Sequence, residues 1–127
     1  MERFSFTSQV AFVPRGDQLD RVTVAPLTSP FEEGSPMQVA VFRFEPGGRL
    51  RGHPGHPQIF AILDGSGEVS GANGNDEPIE AGEAVFLRQG EEHEMKSAAG
   101  LTALIIEGES LDRFRPTAPF APWQLSG

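Results

Sequence analysis

The sequence predicts an all-β fold, one domain built as a double-sheet barrel or sandwich, and three observations lead there. The chain has 127 residues, about one domain's length and too few for two separate cores. Its 15 Gly and 11 Pro fall at short intervals and leave little sequence in which a helix could propagate. Between them stand short runs that alternate apolar with polar residues or cluster β-branched and aromatic ones, the pattern of strands.

In chain order the runs predict strands at 5–13, 19–24, 37–44, 59–63, 67–70, 83–87, 93–97 and 101–107, a number and length that suit a sandwich or barrel. The core of the domain is expected over 37–107, with N-terminal strands within 5–24. Asp64-Gly65-Ser66-Gly67 and Ala72-Asn73-Gly74-Asn75 hold residues that tolerate positive φ, so a tight hairpin is predicted at each. The runs 59–63 and 101–106 are apolar at odd and even positions alike, and such strands must be covered on both faces. One cover is the barrel interior, with Phe60, Ile62, Phe86 and Ile105 among its residues. The other is the strand 5–13 or a second copy of the chain, and a homodimer is predicted. Ser110 is placed to cap a helical turn over 110–114 that Pro116 ends. Phe114, Phe120 and Trp123 among prolines predict a packed strap over 110–127 rather than a free tail.

Composition removes several classes of function. Eighteen acidic against ten basic residues give a formal charge of −8, which repels nucleic-acid phosphates and anionic lipid, so neither nucleic acid nor membrane is an expected partner. Residues 1–63 hold six acids and six bases while 64–127 hold twelve and four, so the excess belongs to the second half and reads as a solvated acidic face. Without Cys there is no disulfide framework, thiol nucleophile, thiolate zinc site or iron–sulfur cluster. Without Tyr there is no phenolic acid or base. The N-terminus has neither a basic start nor a long apolar stretch, and no window approaches the ~20 apolar residues of a membrane span; the expected location is cytoplasmic.

Chemistry concentrates on the three histidines. His53 and His56 stand in Arg51-Gly52-His53-Pro54-Gly55-His56-Pro57-Gln58, and His93 follows His53 by 40 residues in Arg88-Gln89-Gly90-Glu91-Glu92-His93. Inside a closed β-barrel, side chains from separate strands meet, so the two segments can converge on one ion or ligand. His53 and His56 are three apart, which puts them on opposite faces of an extended strand unless Pro54-Gly55 bends the chain. Glu92 and Glu94 alternate away from His93. The glycine-rich 65–71 segment opens no helix and lacks dinucleotide spacing, and Ser66 lacks a nucleophile elbow.

These segments resemble the paired motifs of the small single-domain cupins, over roughly residues 39–107. Gly47 precedes His53, and Gln58 precedes Gly65, by the intervals of the first motif, and Gly82, Gly90 and His93 fall at the spacing of the second. His-Pro-Gly-His stands in place of His-x-His, Gln58 in place of Glu, Arg88 in place of Pro and Ser97 in place of Asn. Counted back from Gly65, Arg51 and His53 take the two His positions instead. The resemblance implies a cupin-type jelly-roll barrel, also called a double-stranded β-helix, with His53, His56, Gln58 and His93 as metal ligands. Imidazoles with an amide oxygen suit Fe²⁺, Mn²⁺, Ni²⁺ or Zn²⁺ and leave room for a small-molecule substrate. Phe60, Ile62 and Phe86 are expected to line its cavity, with Arg51 and Arg88 clamping an anionic group at the mouth. A metal-bearing member implies an oxygenase, isomerase or lyase; the competing expectation is a metal-free binding or sensing module.

Overall fold

The alternating runs become seven β-strands in the computed structural model, which describes residues 1–7, 18–29 and 35–114. They are β1 (Gln18–Pro26), β2 (Met37–Gly52), β3 (Gln58–Ser70), β4 (Glu77–Glu80), β5 (Ala84–Leu87), β6 (His93–Ser97) and β7 (Leu101–Gly108). A 3-10 turn, Leu111–Phe114, follows, its Arg113 N–H donating to the Ser110 carbonyl at 3.1 Å. Among the described residues no helix is long and apolar enough to cross a membrane.

β1, β2 and β3 each serve two sheets. Their 22–26, 37–44 and 58–65 portions pair with β7 and β5 in the order β1-β2-β7-β3-β5, all antiparallel. Their 18–20, 48–52 and 66–70 portions pair in the order β1-β2-β6-β3-β4. A strand that changes sheet must bend, and each bend has a local device. β1 slips register between Asp20 and Val22, with Arg21 at φ 56°. β2 carries Pro46-Gly47-Gly48, and β3 slips between Ile62 and Asp64 just before Gly65 at φ 83°. The result is the jelly-roll barrel that the strand rhythm predicts.

Two expectations about local structure are corrected. The predicted strands 59–63 and 67–70 are one strand, and Asp64-Gly65-Ser66-Gly67 is no hairpin. Its positive-φ glycine swings β3 from β7 onto β6 instead of reversing the chain. The reversal comes at 71–76, where Gly74 N–H donates to the Gly71 carbonyl at 3.0 Å and Asn75 N–H to Asn73 Oδ1 at 3.0 Å. That turn brings back β4, an edge strand the sequence did not announce. Of the strand expected at 5–13, residues 5–7 form no strand and 8–13 lie outside the described residues. The terminal strap beyond residue 114 lies outside them too.

Strand alternation sends one set of side chains inward. Phe42, Phe44, Leu50, Phe60, Ile62, Val69, Met95 and Ile105 meet there, with Phe42 and Phe60 edge to face at 5.8 Å. Complete burial of a side chain such as Phe60 contributes roughly 2–3 kcal/mol. Phe86 is not among them, which corrects its assignment to both core and cavity. Phe60 pairs with Val85, so Val85 and Leu87 face inward while Phe86, half-buried, lies opposite Ile59 on the outer face. In Val85-Phe86-Leu87 all three are apolar, so the sequence leaves the facing open and cross-strand register sets it.

Candidate functional site

His93 opens β6 and sits opposite Gly52, the last residue of β2. Met95 and Ser97, two and four residues on, are buried, and His93 shares their inward parity, only 6 % exposed. Its ring meets Phe60 edge to face at 5.9 Å, and Nδ1 lies 3.3 Å from the Glu91 carbonyl. A carbonyl only accepts, so Nδ1 carries the proton of the neutral ring and Nε2 keeps a lone pair. Burial holds His93 below its ordinary pKa, opposed by the hydrogen bond to the Glu91 carbonyl and by the Glu91 carboxylate, while His53 adds a further lowering. The imidazole is therefore neutral at pH 7.

Nε2 of that ring is buried with no hydrogen-bond partner, and so is Oε1 of Gln58. Gln58 opens β3, is 9 % exposed, and lies two residues from Phe60 on the same face. Two acceptor atoms, one on the ring packed against Phe60 and one two residues before Phe60 on the same face, are thus each buried and each unpaired. An unmade hydrogen bond of this kind costs about 1–3 kcal/mol, so a protein that keeps two of them at one end of its barrel has a lone-pair site to fill. The donor types, imidazole nitrogen and amide oxygen, are ones that a divalent transition ion accepts.

Of the other predicted polar residues only His53, next to Gly52 at the His93 strand end, stays near that ring, close enough to add to its lowered pKa. His53 follows Gly52 at the end of β2 and is exposed; His56 is half-buried, its N–H donating to Glu107 Oε1 at 3.1 Å. Phe60 and Ile62 are buried as expected. Arg51 does not reach the interior. Leu50 and Gly52 take the inward positions, so Arg49 and Arg51 project from the outer face, where Arg51 Nη2 binds Glu94 Oε2 at 2.7 Å and Arg49 lies 3.8 Å from the same carboxylate. The register that makes Arg51 the first His position consequently has no inward side chain there. Arg88 is exposed, and its backbone N–H donates to Glu91 Oε1 at 3.1 Å. Among the described residues no Lys or Arg faces the interior, and no three His, Cys, Asp or Glu converge around one ion.

Glu107 was missed. It occupies the inward parity of β7 after Leu101, Ala103 and Ile105, and is the register partner of Gln38 on one side and Gln58 on the other. Residues 101–106 are apolar at odd and even positions alike, so alternation gives no facing for Glu107; only the cross-strand register does. Ser97, by contrast, is structural: its hydroxyl donates to the Ser66 carbonyl at 2.6 Å and accepts from Gly100 N–H at 2.8 Å, fixing the β6–β7 turn on β3. Around that far end runs an open groove of about 930 Å³ whose charged residues, Asp20, Arg49, Glu68, Glu80, Glu83 and Lys96, are exposed or half-buried. It begins three residues along β6 from His93, at Lys96, roughly 10 Å away, and none of the unpaired buried side-chain atoms among the described residues lines it.

Comparison with known proteins agrees with this fold. A cupin-domain family model matches residues 40–107. No functionally curated protein matches the sequence. Among solved structures, the polyketide cyclase RemF from Streptomyces resistomycificus superposes with a TM-score of 0.69 at 21 % identity, over 84 % of this chain and 78 % of that one. A predicted oxalate decarboxylase from Thermotoga maritima gives 0.63 at 26 % identity, over 81 % and 96 %. An RmlC-like cupin from Shewanella frigidimarina gives 0.65 at 18 % identity, over 91 % and 97 %.

Proposed function

Because this chain belongs to the cupin-domain family, we propose that the His93 end of its barrel binds a divalent transition ion together with a small organic ligand, with His53, Gln58 and His93 as the protein's donors. The observation that carries the proposal is the pair of buried, unpartnered atoms, His93 Nε2 and Gln58 Oε1. When bound, such an ion supplies Lewis acidity toward a coordinated oxygen. The chain's own residues do the rest: the Glu91 carbonyl fixes the His93 tautomer, Phe60 fixes the ring plane, and burial excludes water. An oxygenase, isomerase or lyase reaction is compatible with that arrangement. A polyketide cyclase and a predicted oxalate decarboxylase share the fold, so the barrel alone does not select a reaction.

A metal-free binding or sensing module is the second reading, favoured by the lack of a three-membered His, Cys, Asp or Glu group among the described residues. Titration with Mn²⁺, Fe²⁺, Ni²⁺ and Zn²⁺ by calorimetry separates the two. The expected result is binding by the wild type and about tenfold tighter binding by Gln58→Glu, since a carboxylate adds charge attraction that an amide lacks. If neither protein takes up any of the four ions, His93 and Gln58 are contacts for an organic ligand alone.

We also propose a homodimer through the outer face of the β1-β2-β7-β3-β5 sheet. Leu63 is 56 % and Met37 57 % exposed there, beside half-buried Ile59, Leu104 and Ile106. Arg43, on the same face with its guanidinium 5.9 Å from the Phe6 ring, keeps a buried Nη1 without a hydrogen-bond partner. Light scattering at tens of micromolar is expected to give twice the chain mass, and Leu63→Glu to shift it to the monomer. A monomeric wild type overturns the dimer.

A further inference from the structure

Residues 53–57 bridge β2 and β3 and so connect two of the donors in the proposed site, His53 and Gln58. A bridge outside the strand ladder keeps its shape only through bonds made to it from elsewhere. This one is held at three points. Gly90 N–H donates to the Pro54 carbonyl at 2.8 Å, Gly108 N–H donates to the Pro57 carbonyl at 3.1 Å, and His56 N–H donates to Glu107 Oε1 at 3.1 Å. The first two are backbone bonds that do not depend on side-chain identity. The third depends on a single side chain, and it is charge-assisted, the stronger kind. It also falls at the middle of the bridge, where Pro54 and Pro57 have no N–H to offer and the carboxylate packs 3.9 Å from where a Gly55 Cβ would stand.

The register explains why the carboxylate is there. Glu107 is the direct cross-strand partner of Gln58 and faces the same way, so one turn of the bridge lies over both. Gly52, at the other end of the bridge, is the partner of His93. The position of His53 relative to His93 is therefore set by how the five bridge residues are folded between two strand ends that are themselves fixed.

We propose that Glu107 is a positioning residue of this site: by capturing the His56 N–H, its carboxylate holds the bend that keeps His53 beside His93 and starts β3 with Gln58 facing inward. Its observed bond is to the bridge, at the His56 N–H. The proposal rests on the reading of the site given above, and it extends the donor set to the residue that shapes it.

Glu107→Ala removes the acceptor, whereas Glu107→Gln keeps an acceptor oxygen and removes only the charge. Amide exchange followed by NMR is expected to show the His56 amide exchanging at least about tenfold faster in Glu107→Ala, with the Phe60 and Ile105 amides unchanged. Mn²⁺ affinity falls about tenfold in the same variant, in the range seen when a residue supporting a ligand is lost. Glu107→Gln restores both. A purely structural role would move the Phe60 and Ile105 amides with that of His56, which overturns the proposal. Unchanged His56 exchange in Glu107→Ala, or no rescue by Glu107→Gln, overturns it equally. If the wild type takes up no Mn²⁺, the metal reading falls and with it the role of Glu107 toward the ion; the exchange result then shows separately whether Glu107 sets the bridge.

Discussion

Replacing His93 with alanine is expected to abolish divalent metal uptake, an affinity loss of about 100-fold or more, while the barrel stays folded. His93 is the decisive position because its free Nε2 is the best Lewis base in the interior, neutral, oriented and buried. The fold survives because two effects oppose each other. The smaller side chain leaves a cavity, but it also removes an unpaired buried nitrogen, and the latter alone offsets about 1–3 kcal/mol. Calorimetric titration reads the first outcome and far-UV circular dichroism the second. A variant that unfolds would make His93 a core residue, and one that binds Mn²⁺ like the wild type would remove it from the site.

The largest effect on stability is expected at Gly65. Its φ is 83°, and a side chain there meets the Gly100 carbonyl oxygen, with the Leu101 Cα at 2.9 Å. Both obstacles are backbone, so nothing flexible can move aside. Gly65→Val combines left-handed strain for a β-branched residue with a backbone clash, and a loss of about 3 kcal/mol or more is expected, roughly 10 °C or more in thermal midpoint. Gly74 provides the comparison: φ is 73° with nothing within 4 Å of its Cβ position, so Gly74→Ala costs only the local strain of about 1–2 kcal/mol. Equal melting temperatures for the two variants would contradict the crossing of β3 between sheets.

Those two positions also show what the sequence could and could not convey. β7 was legible as an apolar run, and β6 because charged Glu94 and Lys96 alternate with His93, Met95 and Ser97. The glycine-rich segment at 64–67 was legible as a site of positive φ, yet a bulge and a hairpin ask for the same residues. Only the partners, β7 before it and β6 after it, decide between them. β4, Glu77-Pro78-Ile79-Glu80, was hidden because a short edge strand with one inward apolar side chain makes almost no periodic signal.

At the site, His93 and Gln58 stood out through their place in the two histidine segments, whereas Glu107 did not, because the run before it is apolar at odd and even positions alike and only its pairing with Gln38 and Gln58 fixes its facing. Arg51 was misplaced for a different reason. Pro54-Gly55 breaks the two-residue count between Arg51 and Gln58, so facing could not be carried across the bend. The pairing of Gly52 with His93 fixes it and turns Arg51 outward onto Glu94.

The most direct test of the site is the metal content of protein purified without a histidine tag, before and after incubation with Mn²⁺, Fe²⁺, Ni²⁺ or Zn²⁺. The expected result is a stoichiometric divalent ion in the wild type and none in His93→Ala. A wild-type protein that remains metal-free with all four ions would contradict the account.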